Sequence, residues 1–205
     1  MYKRQLAESD YKGRSALILG KFLTDFTAEE LADFASKAYA DEKFGGADTA
    51  PVVKLGEGKN LLELWHGPTC AFKDFGAGFM GRMTGLLGAA DEKLVILTAT
   101  SGDTGKAALE GFKDKDGIQI AVMYPDGGVS DIQYKQMATQ EGSNVNVWAV
   151  SGNFDDCQTG AKNVFDDDAF NEALMNEQKV ALSSANSINW GRLLPQVVYY
   201  ISTYA

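Results

Sequence analysis

The sequence predicts an α/β fold of three layers, a mainly parallel sheet with helices on both faces. Three observations predict it. From about residue 52 onward, short apolar runs alternate with stretches of helical period. One run, KLVILTAT at 93–100, is continuously apolar, as a strand covered on both faces must be. Polar, glycine-bearing loops follow several runs, where the strands of such a sheet hand over to helices.

Residues 1–50 read as a separate N-terminal helical region and 51–205 as the α/β domain. In the first, TAEELADFASKAY carries a capping box, Thr27 with Glu30, ahead of Leu31, Phe34, Ala35 and Ala38. GGADTAP at 45–51 reads as a connector. LLELWH is then a short strand, and Phe75, Phe79, Met83, Leu86 and Leu87 mark a helix over DFGAGFMGRMTGLLGAA. After KLVILTAT comes a helix from about Thr104 to Lys113, then the strand IQIAVMY. SDIQYKQMATQEG offers Ser130 and Gln133 as a second capping box, with Gly142 as the helix stop. VNVWAV is a strand, FDDCQTGAKNVFDDDAF a helix and KVALSS a strand. The three aspartates at 166–168 suit a solvated helix face better than a metal site. Last, Trp190, Leu193, Leu194, Val197, Val198 and Ile201 form an apolar stripe close to the final residue, which reads as a chain cut short and a surface open to self-association.

Composition narrows the function. The 205 residues are 45% hydrophobic, enough for a substantial core. A net charge of −9 argues against nucleic acid, though a local nest of N–H groups can still hold a small anion. Two distant cysteines, Cys70 and Cys157, form neither a disulfide framework nor a zinc pattern and suit a reducing cytoplasm. No apolar run approaches the roughly 18 residues of a spanning helix, and no signal peptide is visible.

Three polar loops could carry chemistry at one sheet edge. HGPTCAFKD holds Lys73 between Phe72 and Phe75. A helix N-terminus disfavours its charge by only about 0.3–1 kcal/mol, so a neutral amine needs desolvation as well, which the phenylalanines could supply. A neutral lysine can attack a carbonyl and form a Schiff base; a lysine snorkelling at a helix start is the plainer alternative. TSGDTGK, residues 100–106, sets Ser101, Thr104 and glycine N–H groups at a helix start, suited to a carboxylate or phosphate, or else to a cap made by Ser101, Asp103 or Thr104. Asp103 is awkward beside an anion and would face a cation or cap the helix. SSANSINWGR brings Ser183, Ser184, Asn186, Ser187 and Asn189 ahead of Arg192, an anion clamp or a polar helix cap.

Two motifs mislead. Gly76, Gly78 and Gly81 spell G-x-G-x-x-G but lie inside a helix, away from a strand end, and suit close helix packing. TSGDTGKA departs from a phosphate-binding P-loop at Thr100 and Ala107.

HGPTCAFKDFG, TSGDTGKAALEGF and NSINWGRLLPQVVYY, in this order, resemble the threonine synthase family of fold-type II pyridoxal-phosphate enzymes. The resemblance covers roughly residues 50–205, with residues 1–50 matching only loosely. It implies that Lys73 holds pyridoxal 5'-phosphate covalently and shuttles protons. Asp103 would stand by the cofactor ring. Ser101 and Thr104 would meet the substrate carboxylate, and Asn186, Ser187 and Arg192 the phosphate of O-phosphohomoserine. No metal is implied, and His66 would shape the loop before Lys73. The family's cofactor-phosphate loop lies downstream of LLPQVVYY, so this stretch is expected to resemble the N-terminal portion and to turn over little alone. Two other readings stay open. One is another pyridoxal lyase acting on serine or threonine, which would have no use for the NSINWGR clamp. The other is a non-catalytic domain that binds a small anion or a partner.

Overall fold

The computed structural model describes residues 2–87 and 92–204. Four parallel strands form the central sheet: β3 (Lys93–Ala99), β4 (Ile118–Pro125), β5 (Val145–Val150) and β6 (Val180–Ser183), in the order β5-β4-β3-β6. β3 sits inside, pairing Ile96 with Ile120 on one side and with Ser183 on the other. Its side chains alternate between faces, as a strand's period of two demands. Ile96, with Ile120 and Val122 of β4, packs under α6 (Asp103–Phe112) and α7 (Asp131–Ala138). Leu97 and Ala99, with Ala121, pack on the opposite face against Cys157 and Ala161 of α8 (Phe154–Asp166). This is the three-layer arrangement expected from the alternating pattern.

LLELWH departs from expectation. The strand there, β2 (Lys59–Leu62), pairs antiparallel with β1 (Val52–Gly56) in a separate two-stranded sheet. Both are largely exposed. The loop leading to Lys73 therefore does not leave a strand of the central sheet.

The N-terminal helices α1 (Tyr2–Glu8), α2 (Tyr11–Leu19), α3 (Ala28–Ala38) and α4 (Asp41–Phe44) precede that hairpin. The Thr27–Glu30 capping box is present at α3. Leu19, Leu31, Phe34, Ala35 and Tyr39 share a core with Phe75 and Phe79 of α5 (Lys73–Leu87), and with Leu194, Val198 and Tyr199 near the chain's end. The side chains of Leu86 and Leu87, expected on the apolar face of α5, lie outside the described residues.

Two glycines of the misleading G-x-G-x-x-G pattern show what that pattern is for. A Cβ on Gly81 would stand 2.1 Å from the carbonyl oxygen of Gly111 in α6. One on Gly76 would stand 2.2 Å from that of Arg192. The backbones touch there, and only glycine permits it.

The rest follows the sequence with local corrections. Ser130 and Gln133 form the expected capping box, but α7 ends at Ala138, four residues before Gly142. The predicted long helix over 154–170 breaks at Asp167, whose carboxylate accepts from the Phe170 N–H and starts α9 (Asp168–Ala173). A π-helical turn, Leu174–Gln178, leads to β6. Beyond it, Pro195 separates α10 (Trp190–Leu193) from α11 (Gln196–Tyr204). Much of the final apolar stripe is used internally: Leu194 and Val198 are buried, while Trp190 is 60% exposed. Among the described residues, no helix is long and apolar enough to cross a membrane, and no group of acidic, histidine and cysteine side chains could hold a metal ion.

Candidate active site

Lys73 opens α5 because the five residues before its helix are folded around Asp74. Buried Asp74 accepts from the Thr69 N–H at 2.9 Å and from the Thr69 hydroxyl at 2.5 Å. Burial raises the Asp74 carboxyl above its ordinary range, and the Thr69 and Ala71 bonds oppose that. Cys70 takes a left-handed φ of 56° inside this turn. Further back, Glu63 meets His66 at 2.7 Å and Trp65 stacks on the imidazole, so His66 has a structural setting.

Phe72 and Phe75, equivalent in sequence, differ in space. The Lys73 Nζ lies 4.2 Å from the centre of the Phe72 ring. Phe75 turns away into the aromatic core with Tyr39, Phe44 and Tyr199. Two residues along a helix is about 200° of rotation, so Phe75 cannot shield the amine. Burial pulls Lys73 below the ordinary lysine range. Asp103 pushes it back up, and the charges of Arg192 and Lys106 lower it further.

The second loop is held by a residue the sequence left out. Thr100 Oγ1 accepts from the N–H groups of Gly102, at 2.9 Å, and Gly105, at 2.8 Å. Thr100, rather than Ser101, Asp103 or Thr104, therefore satisfies the start of α6. Gly102 has φ +132°, and a Cβ there would fall 2.3 Å from Gln133 Cδ. Asp103 faces cations: its Oδ2 is 3.6 Å from Lys73 Nζ and its Oδ1 is 3.2 Å from Lys106 Nζ. Burial would raise the Asp103 carboxyl, but hydrogen bonds from Gln133 and Lys106 prevail and hold it below the ordinary carboxylate range.

The third loop joins β6 to α10. Asn186 staples it to β3: its Nδ2 donates to the Ala99 carbonyl at 2.7 Å and its Oδ1 accepts from the Ala99 N–H at 3.1 Å. One Nδ2 proton is left over. Asn189 caps α10 through the Gly191 N–H and ties back to Ser184. Ser187 is exposed at the loop tip. The Arg192 side chain is buried, yet it meets no carboxylate among the described residues. Burial lowers its guanidinium, which still stays charged.

These loops border one cleft of about 450 Å³, within the usual size of small-molecule sites. Lys73, Thr104, Asn186, Ser187 and Arg192 all line it; Ser101 and Asp103 do not, although Asp103 lies 3.6 Å from Lys73 Nζ. The opposite wall is the face of α8 carrying Phe154, Gln158, Ala161, Lys162 and Phe165, spaced three and four residues apart. Sequence reading missed Gln158 and Lys162. Their helical spacing was visible, but which way that face pointed was not. Among the described residues the cleft is thus lined by three cations, Lys73, Lys162 and Arg192, and by no acid, in a chain of net charge −9. Such a cleft fits a ligand with a carbonyl for the lysine and anionic groups for the cations, which is the chemistry of pyridoxal phosphate and of a phosphorylated amino acid.

No protein-family profile matches the chain. It is 40% identical over 200 residues to threonine synthase from Serratia marcescens, a match covering 98% of this chain and 43% of that protein. It is likewise 40% identical over 208 residues to threonine synthase-like 1 from Pongo abelii, covering 98% of this chain and 28% of that one. The crystal structure of pyridoxal-phosphate-bound threonine synthase from Brucella melitensis superimposes with a TM-score of 0.84 at 38% identity, over 96% of this chain and 41% of that chain. The chain therefore spans less than half the length of these relatives.

Fold and cleft together define the α/β class of fold-type II pyridoxal-phosphate enzymes. Within that class the chain belongs to the threonine synthase family, whose N-terminal portion it matches. The similarity includes the N-terminal helices, beyond the residues 50–205 that the motifs covered.

Proposed function

We propose that this chain supplies the lysine side of an active site that converts O-phospho-L-homoserine and water to L-threonine and phosphate with pyridoxal 5'-phosphate. This is the last step of threonine biosynthesis, and we place it in the cytoplasm. One observation carries the reading: Arg192, a residue 5% exposed that meets no carboxylate among the described residues, lines the same cleft as Lys73. A cation held at the wall of a cleft is met favourably by an anionic ligand, with charge-assisted hydrogen bonds.

When bound, the cofactor supplies the electron sink for the carbon chemistry. The chain's residues do the rest. Lys73, made less basic by burial, would hold the cofactor through Nζ and would carry protons at that atom. Asp103 faces Lys73 Nζ and, ionised, offers it a counter-charge. Thr104, with Ser101 at the loop rim, would take the substrate carboxylate. Arg192, Ser187 and the remaining Asn186 proton would take its phosphate. Phe72, Phe154 and Phe165 exclude water from the walls. Self-association through the exposed part of the last stripe, Trp190 above all, belongs to the proposal, and size-exclusion chromatography reads it.

The test is to incubate the chain with pyridoxal 5'-phosphate, reduce with borohydride and locate the adduct by mass spectrometry. A single adduct at Lys73 is expected, weakened by inorganic phosphate. Labelling spread over surface lysines overturns the reading in favour of a non-catalytic domain.

A further inference from the structure

Gln133 appears at first to be fully explained by its capping box. Its Oε1 accepts from the Ser130 N–H at 3.1 Å and from the Ser130 hydroxyl at 3.0 Å, and its own N–H donates to Ser130 Oγ. A glutamate would do the same and would suit a helix N-terminus better. The amide has a second end. Gln133 Nε2 reaches back thirty residues and donates to Asp103 Oδ1 at 2.9 Å. Lys106 Nζ meets the same oxygen at 3.2 Å. The opposite oxygen, Oδ2, is the one turned to Lys73. Gly102 leaves room for this crossing, since a Cβ there would collide with the Gln133 amide.

We infer that Gln133 is a positioning residue for Lys73: with Lys106 it occupies Asp103 Oδ1, so that Oδ2 is aimed, ionised, at the lysine amine. α7, which contributes nothing to the cleft lining, is thereby tied to the reactive nitrogen through one carboxylate. The groups facing Asp103 are Lys73 from α5, Lys106 from its own helix and the Gln133 amide from α7. The donor from Gln133 is one of the influences that keep this carboxyl acidic. What Lys73 does with the aimed carboxylate rests on the function proposed above; the placement does not.

The experiment follows the carboxyl carbon of Asp103 by NMR in the 205-residue chain labelled at aspartate, assigned with Asp103→Asn and titrated without cofactor. Gln133→Met removes the donor and the cap together. Ser130→Ala breaks the same capping box and leaves the donor. Gln133→Leu likewise removes the donor without adding a charge, and serves if the methionine variant does not fold. The Asp103 midpoint should rise in both Gln133 variants and stay in place in Ser130→Ala. The pH at which Lys73 becomes reactive to reductive methylation should fall in Gln133→Met, as the carboxylate that raises it is released. An unmoved midpoint in the Gln133 variants, or an equal shift in Ser130→Ala, overturns the inference. Failure of the borohydride adduct at Lys73 would count against the functional reading alone.

Discussion

One glycine substitution should destabilise this protein and the same substitution four residues later should stabilise it. Gly81 and Gly85 both lie within α5. A Cβ at Gly81 would sit 2.1 Å from the Gly111 carbonyl oxygen. An ordinary C···O contact is about 3.3 Å, so α5 and α6 would have to part by about 1 Å. The obstructing atom is backbone, so no side chain can rotate away. A gap of about 0.5–1 Å already forfeits a quarter to a half of each dispersion contact along the seam. Overpacking of this kind costs about 1–3 kcal/mol, and the gain in helix propensity returns up to about 1 kcal/mol. A net loss of about 1 kcal/mol follows for Gly81→Ala, or about 2–4 °C in Tm at this chain length. Among the described residues, Gly85 has nothing within 4 Å of its Cβ position, so Gly85→Ala keeps only the propensity gain, about 0.8–1 kcal/mol. Urea denaturation of both variants beside the parent chain measures the pair. Equal effects of either sign would refute the close helix contact. A Gly81→Ala variant as stable as Gly85→Ala would also remove the reason given for the glycine pattern.

Other perturbations reach the loops directly. Thr100→Val keeps the side chain's shape but leaves the Gly102 and Gly105 N–H groups without their acceptor; a loss of about 1–3 kcal/mol is expected by denaturation. Asp74 has a folded carboxyl pKa raised above the ordinary 3.8, so its contribution to stability is present in acid and is lost as pH rises through the folded value. The stability of the parent chain relative to Asp74→Asn should therefore fall as pH rises from below 3.8, and a difference independent of pH would contradict the buried charge. Arg192→Met removes a cation that lowers Lys73, and Asp103→Asn removes the carboxylate that raises it. The pH midpoint for modification of Lys73 should move up in the first and down in the second; movement in the same direction would break the assigned electrostatics.

Much of the fold was legible because local periodicity is a direct image of burial. KLVILTAT became the inner strand β3, and Thr27–Glu30 and Ser130–Gln133 became capping boxes, since each depends on residues within a few positions of one another. LLELWH failed for the converse reason. Its apolar run was short, and whether such a run joins the central sheet or pairs with a neighbouring hairpin strand depends on partners elsewhere in the chain. The helix over 154–170 broke at Asp167 because a side chain capping its own downstream N–H competes with helix continuation, a local choice the periodicity did not reveal.

By itself the sequence determined the alternation of strands and helices from β3 onward and the position of Lys73 at a helix start within one of three polar loops. Only the tertiary structure decided that Phe72 shields the amine while Phe75 serves the core, and that Thr100 does the capping. It also decided that Lys162 and Gln158 complete the cleft and that Gln133 reaches Asp103. The physical reason is one of range. Propensity, caps and amphipathic period are settled within a turn or two of chain. The field at a lysine and the aim of a carboxylate are set by groups distant in sequence, such as Asp103 thirty residues from Lys73 and Gln133 thirty from Asp103, which packing brings within hydrogen-bond or ion-pair reach.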